Sequence, residues 1–229
     1  MNTEKQDPQE EAAPVAKPAI ETNIEEFGVP EVMDFLKENG LAIVIGVAVA
    51  VAAFVGISAW RGSKAAKVET ASTLLANAQS IPQFQEIIAN YGETKVAPLA
   101  YLSLAGAYFD QAQYDLARHT FIQFQQQFPT HDMLPNAELG IAQSLEAAGN
   151  LQEALAGYDA FLARRGSHYM AHSATFGKGR VLEAMGRLSE ARQVYEEFIA
   201  ANPESRWTAR AETGLDFVKK AERAARNSP

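Results

Sequence analysis

Not one cysteine occurs among the 229 residues. The chain therefore has no disulfide framework, no thiolate metal site and no cysteine on which a lipid anchor could be built. A cysteine-free chain suits an oxidising or a reducing compartment alike, so the redox setting stays open. An excess of positive charge is missing as well. The formal net charge is −8, and residues 1–40 carry ten acids against Lys5, Lys17 and Lys37, whereas the remainder holds 18 acids and 17 Lys or Arg. That balance offers no source for the phosphate neutralisation that nucleic-acid binding demands, and this class of partner is excluded.

Signatures of catalysis are lacking too. There is no nucleophile elbow and no dinucleotide fingerprint. Gly177-Lys178-Gly179 has no glycine at the upstream spacing of a phosphate loop and is followed by Arg180, not Ser or Thr, so it reads as close helix packing. His168 and His172 have the i,i+4 spacing that can hold zinc on one helix face. They straddle an expected loop with no Glu between them and no third ligand in view, and they are read as structural. No catalytic residue, metal, cofactor or small-molecule substrate is expected, which leaves binding as the class of activity.

What the sequence does contain is one long apolar run. Leu41 to Trp60 reads LAIVIGVAVAVAAFVGISAW, twenty residues without a charge. At about 1.5 Å rise per residue this helix spans a hydrocarbon core of about 30 Å. Trp60 and Arg61 stand where an aromatic anchor and the first charge meet the interface. The run begins too late and is too long for a cleaved signal peptide, so an uncleaved transmembrane helix is expected over 41–60. Within it Ala48, Ala52 and Gly56 form a small-residue row at i, i+4, i+8, with Gly46 and Ala50 beside it, a candidate packing face for another helix in lipid. Arg61, Lys64 and Lys67 after the run, against Lys37 before it, favour a cytoplasmic C-terminal side.

Residues 1–29 are rich in Glu, Pro, Ala and Gln, which predicts a disordered acidic tail. Residues 30–40 read as a short amphipathic juxtamembrane helix carrying Val32, Met33, Phe35 and Leu36, broken or hinged at Asn39-Gly40. Beyond the apolar run the chain repeats itself every 37 residues, in segments starting at Pro98, Pro135 and His172. Matching residues hold matching offsets: Tyr108, Leu145 and Leu182; Ala117, Ala154 and Ala191; Phe121, Tyr158 and Tyr195; Phe124, Phe161 and Phe198. A small Ala lets two antiparallel helices approach, and the aromatics fill the gap between neighbouring hairpins. This is the pattern of the tetratricopeptide repeat, although Glu138 and Lys178 sit where first helices usually present apolar residues. The expected fold is all-α: a transmembrane helix, a degenerate leading hairpin over 61–97, three repeats over 98–204 and a capping helix over 205–229, forming an α-solenoid.

The run FLKENGLAIVIGVAVAVAAFVGISAW, from Phe35 to Trp60, followed by such hairpins, resembles the ancillary subunit family of the bacterial SecYEG translocon, chiefly at Glu38-Asn39-Gly40 abutting the apolar run and at the aromatic on its far end. The resemblance implies a single-pass inner-membrane protein, N-terminus cytoplasmic and repeats periplasmic, contacting translocon subunits, periplasmic chaperones and exported clients. That orientation conflicts with the flanking charge. The other reading is a scaffold for a different envelope assembly such as secretion, pilus or cell-wall machinery. In either case first-helix residues are expected to line a partner-binding groove: Leu99, Leu102, Phe109, Asn136, Gln143, Phe176, Arg180 and Glu183, with Phe109 and Phe176 as anchors. Positions matching the two-carboxylate clamp of other tetratricopeptide domains hold Leu102, Gly106, Gly140, Ser173 and Gly177, which cannot build it.

Overall fold

The computed structural model describes residues 29–227, and among them the regular elements are all helices. They are α1 (Val29–Asn77), α2 (Ile81–Tyr91), α3 (Ala97–Asp110), α4 (Tyr114–Gln127), α5 (Leu134–Ala147), α6 (Leu151–Arg165), α7 (Ala171–Ala184), α8 (Leu188–Ala201) and α9 (Thr208–Asn227). The chain divides into two units, Met1–Trp60 and Arg61–Pro229. The expected acidic tail lies outside the described residues except for Val29.

In the first unit the described backbone is α1 alone. The hinge expected at Asn39-Gly40 is absent, because α1 runs through it without interruption. Gly40 does not take the left-handed conformation of a helix terminator, and the Asn39 side chain donates back to the Phe35 carbonyl at 3.1 Å. One glycine costs a helix only about 1 kcal/mol relative to alanine, and the apolar run that follows sustains the helix beyond it. The large apolar side chains of the run stand exposed, Leu41 at 78% and Phe54 at 71%. This helix is long and apolar enough to cross a membrane, with a mean hydropathy of 2.7 over its most apolar window, none of which is buried.

The second unit begins with the last part of α1, so no separate helix starts at Ser63. Its frame is set by repetition. First helices begin at Ala97, Leu134, Ala171 and Thr208, and second helices at Tyr114, Leu151 and Leu188, each 37 residues after the previous one. Each helix packs on the next from α2 to α9, and successive first helices also touch. Two alanine columns have no exposed surface: Ala100, Ala137, Ala174 and Ala211 on first helices, and Ala117, Ala154 and Ala191 on second helices. Thus α9 stands in the register of a fourth first helix. At the other end Phe84 of α2 sits 37 residues before Phe121. Only the first turn departs from the period, because Pro82 and a capping contact from Ser80 N–H to Gln83 Oε1 at 3.1 Å start α2 at Ile81.

Consecutive hairpins meet through one recurring contact. An aromatic ring from each second helix lies on a glycine of the next first helix. A Cβ added to Gly140 would come within 2.6 Å of the Phe121 ring, one on Gly177 within 2.3 Å of Tyr158, and one on Gly214 within 2.7 Å of Tyr195. These glycines exist for close approach, and two of the positions matched to a carboxylate clamp, Gly140 and Gly177, are therefore covered by rings of this chain instead of lining a groove.

Turns within the three regular hairpins are identical in form. Ala112, Gly149 and Gly186 are left-handed at φ 57°, 81° and 72°. The residue after each donates to a carbonyl five back, as in Gln113 N–H to Tyr108 O and Arg187 N–H to Leu182 O, both at 2.9 Å.

Two outcomes follow from this geometry. Gly177→Ala should destabilise by about 1–3 kcal/mol, because the added methyl has no room under Tyr158. Gly106→Ala, where nothing lies within 4 Å of the new Cβ, should instead stabilise by about 0.5–1 kcal/mol. Denaturant melts of the two variants must move in opposite directions. Ala112→Gly should relieve left-handed strain that exceeds the entropy glycine adds to the unfolded chain, raising stability by about 0.5–1 kcal/mol. A thermal melt reads this as a small upward shift in Tm.

Candidate protein-binding site

The first helices α3, α5, α7 and α9 share one face that forms three adjoining hollows. The first, of about 390 Å³, lies among Phe109, Gln143, Glu146 and Arg180. The second, of about 370 Å³, lies among Gln143, His172, Phe176, Arg180 and Trp207. The third, of about 600 Å³, is bounded by Phe176, Arg180, Glu183, Tyr195, Arg210 and Phe217. Arg180 borders all three, so together they make a groove across the repeats.

Of the eight residues expected to line it, Phe109, Gln143, Phe176, Arg180 and Glu183 do so. Leu102 instead packs against the cluster of Tyr101, Phe124 and Ala137. Leu99 is exposed at 47% and Asn136 is half-buried, and neither borders the three hollows. Phe176 lies on the groove but not as a projecting anchor. It is 4% exposed, packed on the rings of Phe198 at 5.1 Å and Trp207 at 6.3 Å. Its place is the floor. Phe109 is half-buried and sets its edge against Tyr114 at 5.2 Å.

Polar groups on the groove are organised by the tyrosines of the second helices. Tyr158 donates its hydroxyl to Glu146, and Tyr195 donates to Glu183 at 2.8 Å. Burial and then the accepting carboxylate push both phenols above their ordinary range, so they remain neutral donors. Arg180 clasps Glu146 from the next repeat through Nε at 2.7 Å and a terminal nitrogen at 2.9 Å. The fork fixes both side chains and ties α7 to α5. Elsewhere Glu138, nearly buried, accepts from Arg164 and Arg165, which satisfies an acid standing at a usually apolar position. Lys178 likewise meets Asp159 at 2.7 Å. His168 and His172 serve different neighbours. His168 accepts from the Met170 N–H at 3.2 Å, while His172 stacks on Trp207 at 4.2 Å between centroids.

Four groove residues lie outside the expected set: Glu146, which holds the offset of Phe109 and Glu183, and Trp207, Arg210 and Phe217, which lie in or beside the helix expected to serve as a cap. The signal was present. Arg210 follows Ser173, and Phe217 follows Arg180, by the same 37 residues.

A family model described as the tetratricopeptide repeat-like domain matches residues 33–217. The chain belongs to the tetratricopeptide repeat-like domain family. The match takes in the apolar helix together with the hairpins. No curated protein matches the chain. Among solved structures, nearly identical TPR-like repeats from Podosopora anserina share 19% identity at a TM-score of 0.54, over 69% of this chain and 85% of that chain. A tetratricopeptide repeat protein from Parabacteroides merdae shares 12% at a TM-score of 0.53, over 70% of this chain and 61% of that one. At such identities the likeness shows the tetratricopeptide fold.

The two groove aromatics should separate in a melting experiment. Phe176→Ser removes a buried ring and should cost about 3–5 kcal/mol, whereas Phe109→Ser at a half-buried position should cost about 1–2 kcal/mol. Equal losses would remove Phe109 from the groove surface.

Proposed function

We propose that this protein is a membrane-anchored scaffold whose tetratricopeptide groove holds a segment of another polypeptide at the cell envelope. The observation that carries this reading is the charge-free stretch of α1, whose large apolar side chains stand exposed. In water that surface would favour aggregation, whereas a bilayer is its natural solvent. The row of Ala48, Ala52 and Gly56 lies on one face of this helix with nothing within 4 Å of an added Cβ at Gly56. Such a row permits close approach of a partner's transmembrane helix.

The resemblance of residues 35–60 to ancillary SecYEG subunits supports the finer assignment. In it the N-terminus is cytoplasmic, the repeats are periplasmic, and the partners are translocon subunits, periplasmic chaperones and exported proteins. The positive charge at Arg61, Lys64 and Lys67 favours a second reading, a scaffold for another envelope machine with its repeats in the cytoplasm.

Protease added to intact spheroplasts should digest the repeats, and crosslinking in intact membranes should capture translocon subunits. Ala52→Leu with Gly56→Leu should reduce that capture while the protein stays in the membrane fraction. Protection of the repeats until the membrane is permeabilised would establish the second reading. Recovery of the chain in the soluble fraction would remove the anchor itself.

A further inference from the structure

The α7–α9 end of the groove carries charge that the fold leaves unanswered. Arg210 sets its guanidinium 5.2 Å from the centroid of Phe176, and Arg206 sets its own 5.0 Å from that of Trp207. Both are exposed. Among the described residues neither meets a carboxylate, whereas Arg164, Arg165, Arg180, Arg187 and Arg192 each do. The groove's own acids are engaged, Glu146 by Arg180 and Tyr158 and Glu183 by Tyr195. Because the Tyr195 hydroxyl is neutral, Glu183 keeps its charge, so Arg180, Arg206 and Arg210 stand against Glu146 and Glu183 and one positive charge is in excess here, in a chain whose net charge is −8.

A guanidinium resting on a ring keeps its N–H edge free, and that edge matches a carboxylate in a bidentate pair. Beside it Phe217 is 57% exposed on the rim of the 600 Å³ hollow, an apolar surface within the size range of a ligand pocket. His172, stacked on Trp207, is held below its ordinary range by burial first and then by Arg206. At neutral pH it leaves the excess charge to the two arginines.

We propose that this end of the groove binds a partner polypeptide through an internal acidic side chain that pairs with Arg206 and Arg210, adjacent to an aromatic residue that packs against Phe217 and the hollow. The proposal rests on the groove being the binding surface and adds the chemistry that it selects. Charge complementarity decides the occupant. The chain's own acidic segment, residues 1–40, has the right sign, but the proposed topology puts it across the bilayer from the repeats.

Full-length protein in detergent can be titrated with fluorescent peptides, acetylated and amidated, built around Asp-Phe-Asp, Asn-Phe-Asn or Lys-Phe-Lys and read by anisotropy. At about 0.1 M salt the Asp peptide should bind about tenfold more tightly than the Asn peptide, with the Lys peptide weakest. Arg206→Gln with Arg210→Gln should erase that order and leave binding of the Asn peptide in place, whereas Arg187→Gln should preserve the order. Equal affinity for all three peptides, still lowered by Phe109→Ser, overturns the acidic preference and spares the groove. Binding of none overturns both. Equal binding of Asn-Phe-Asn as a free acid would show that the site reads a chain terminus instead. Tighter binding after deletion of residues 1–28 would identify the chain's own tail as the occupant. Either of these last results overturns the proposal.

Discussion

Every junction between regular hairpins depends on an aromatic ring lying on a glycine. Phe121, Tyr158 and Tyr195 reach from second helices onto Gly140, Gly177 and Gly214, where any side chain would collide with the ring. Because each repeat touches only its neighbours, stability is close to a sum over such junctions, and no distant contact can compensate for losing one. The alanine columns serve the same end. With Ala117, Ala154 and Ala191 fully buried, paired helices come close enough for the ring to cross to the next hairpin.

The same rings decide the character of the groove. Where the second helix supplies tyrosine, the first helix of that repeat supplies a glutamate to receive its hydroxyl: Tyr158 with Glu146, and Tyr195 with Glu183. Where it supplies Phe121, the equivalent first-helix position is Phe109, which needs no donor. A buried carboxylate without a partner is costly, so core ring and groove residue change together. The groove is consequently apolar toward α3 and charged toward α7 and α9. Packing between hairpins and recognition on the surface are thus two consequences of one choice between phenylalanine and tyrosine.

The apolar helix obeys a different constraint. Its side chains are satisfied by no other part of the described chain, and the helix passes Asn39-Gly40 because sustained helical hydrogen bonding outweighs a single glycine. The family match over residues 33–217 includes this stretch as well as the hairpins.

The sequence by itself determined the helical class, the 37-residue period, the tyrosine, phenylalanine and alanine columns and the apolar run, because each is a local pattern with a local physical cause. It also pointed to five groove residues, since Phe109, Gln143, Phe176, Arg180 and Glu183 recur at fixed offsets on first helices. Tertiary structure alone decided which way those positions face. Phe176 sinks to the floor because Phe198 and Trp207 close over it, and Gly140 and Gly177 vanish under rings from the preceding repeat. Glu146 shares the offset of Phe109 and Glu183, but its pairing with Arg180, 34 residues away, appears only in the stacked hairpins. Offsets count positions along one helix, whereas burial and pairing depend on what the next helix places against them, and that is settled only when the hairpins stack.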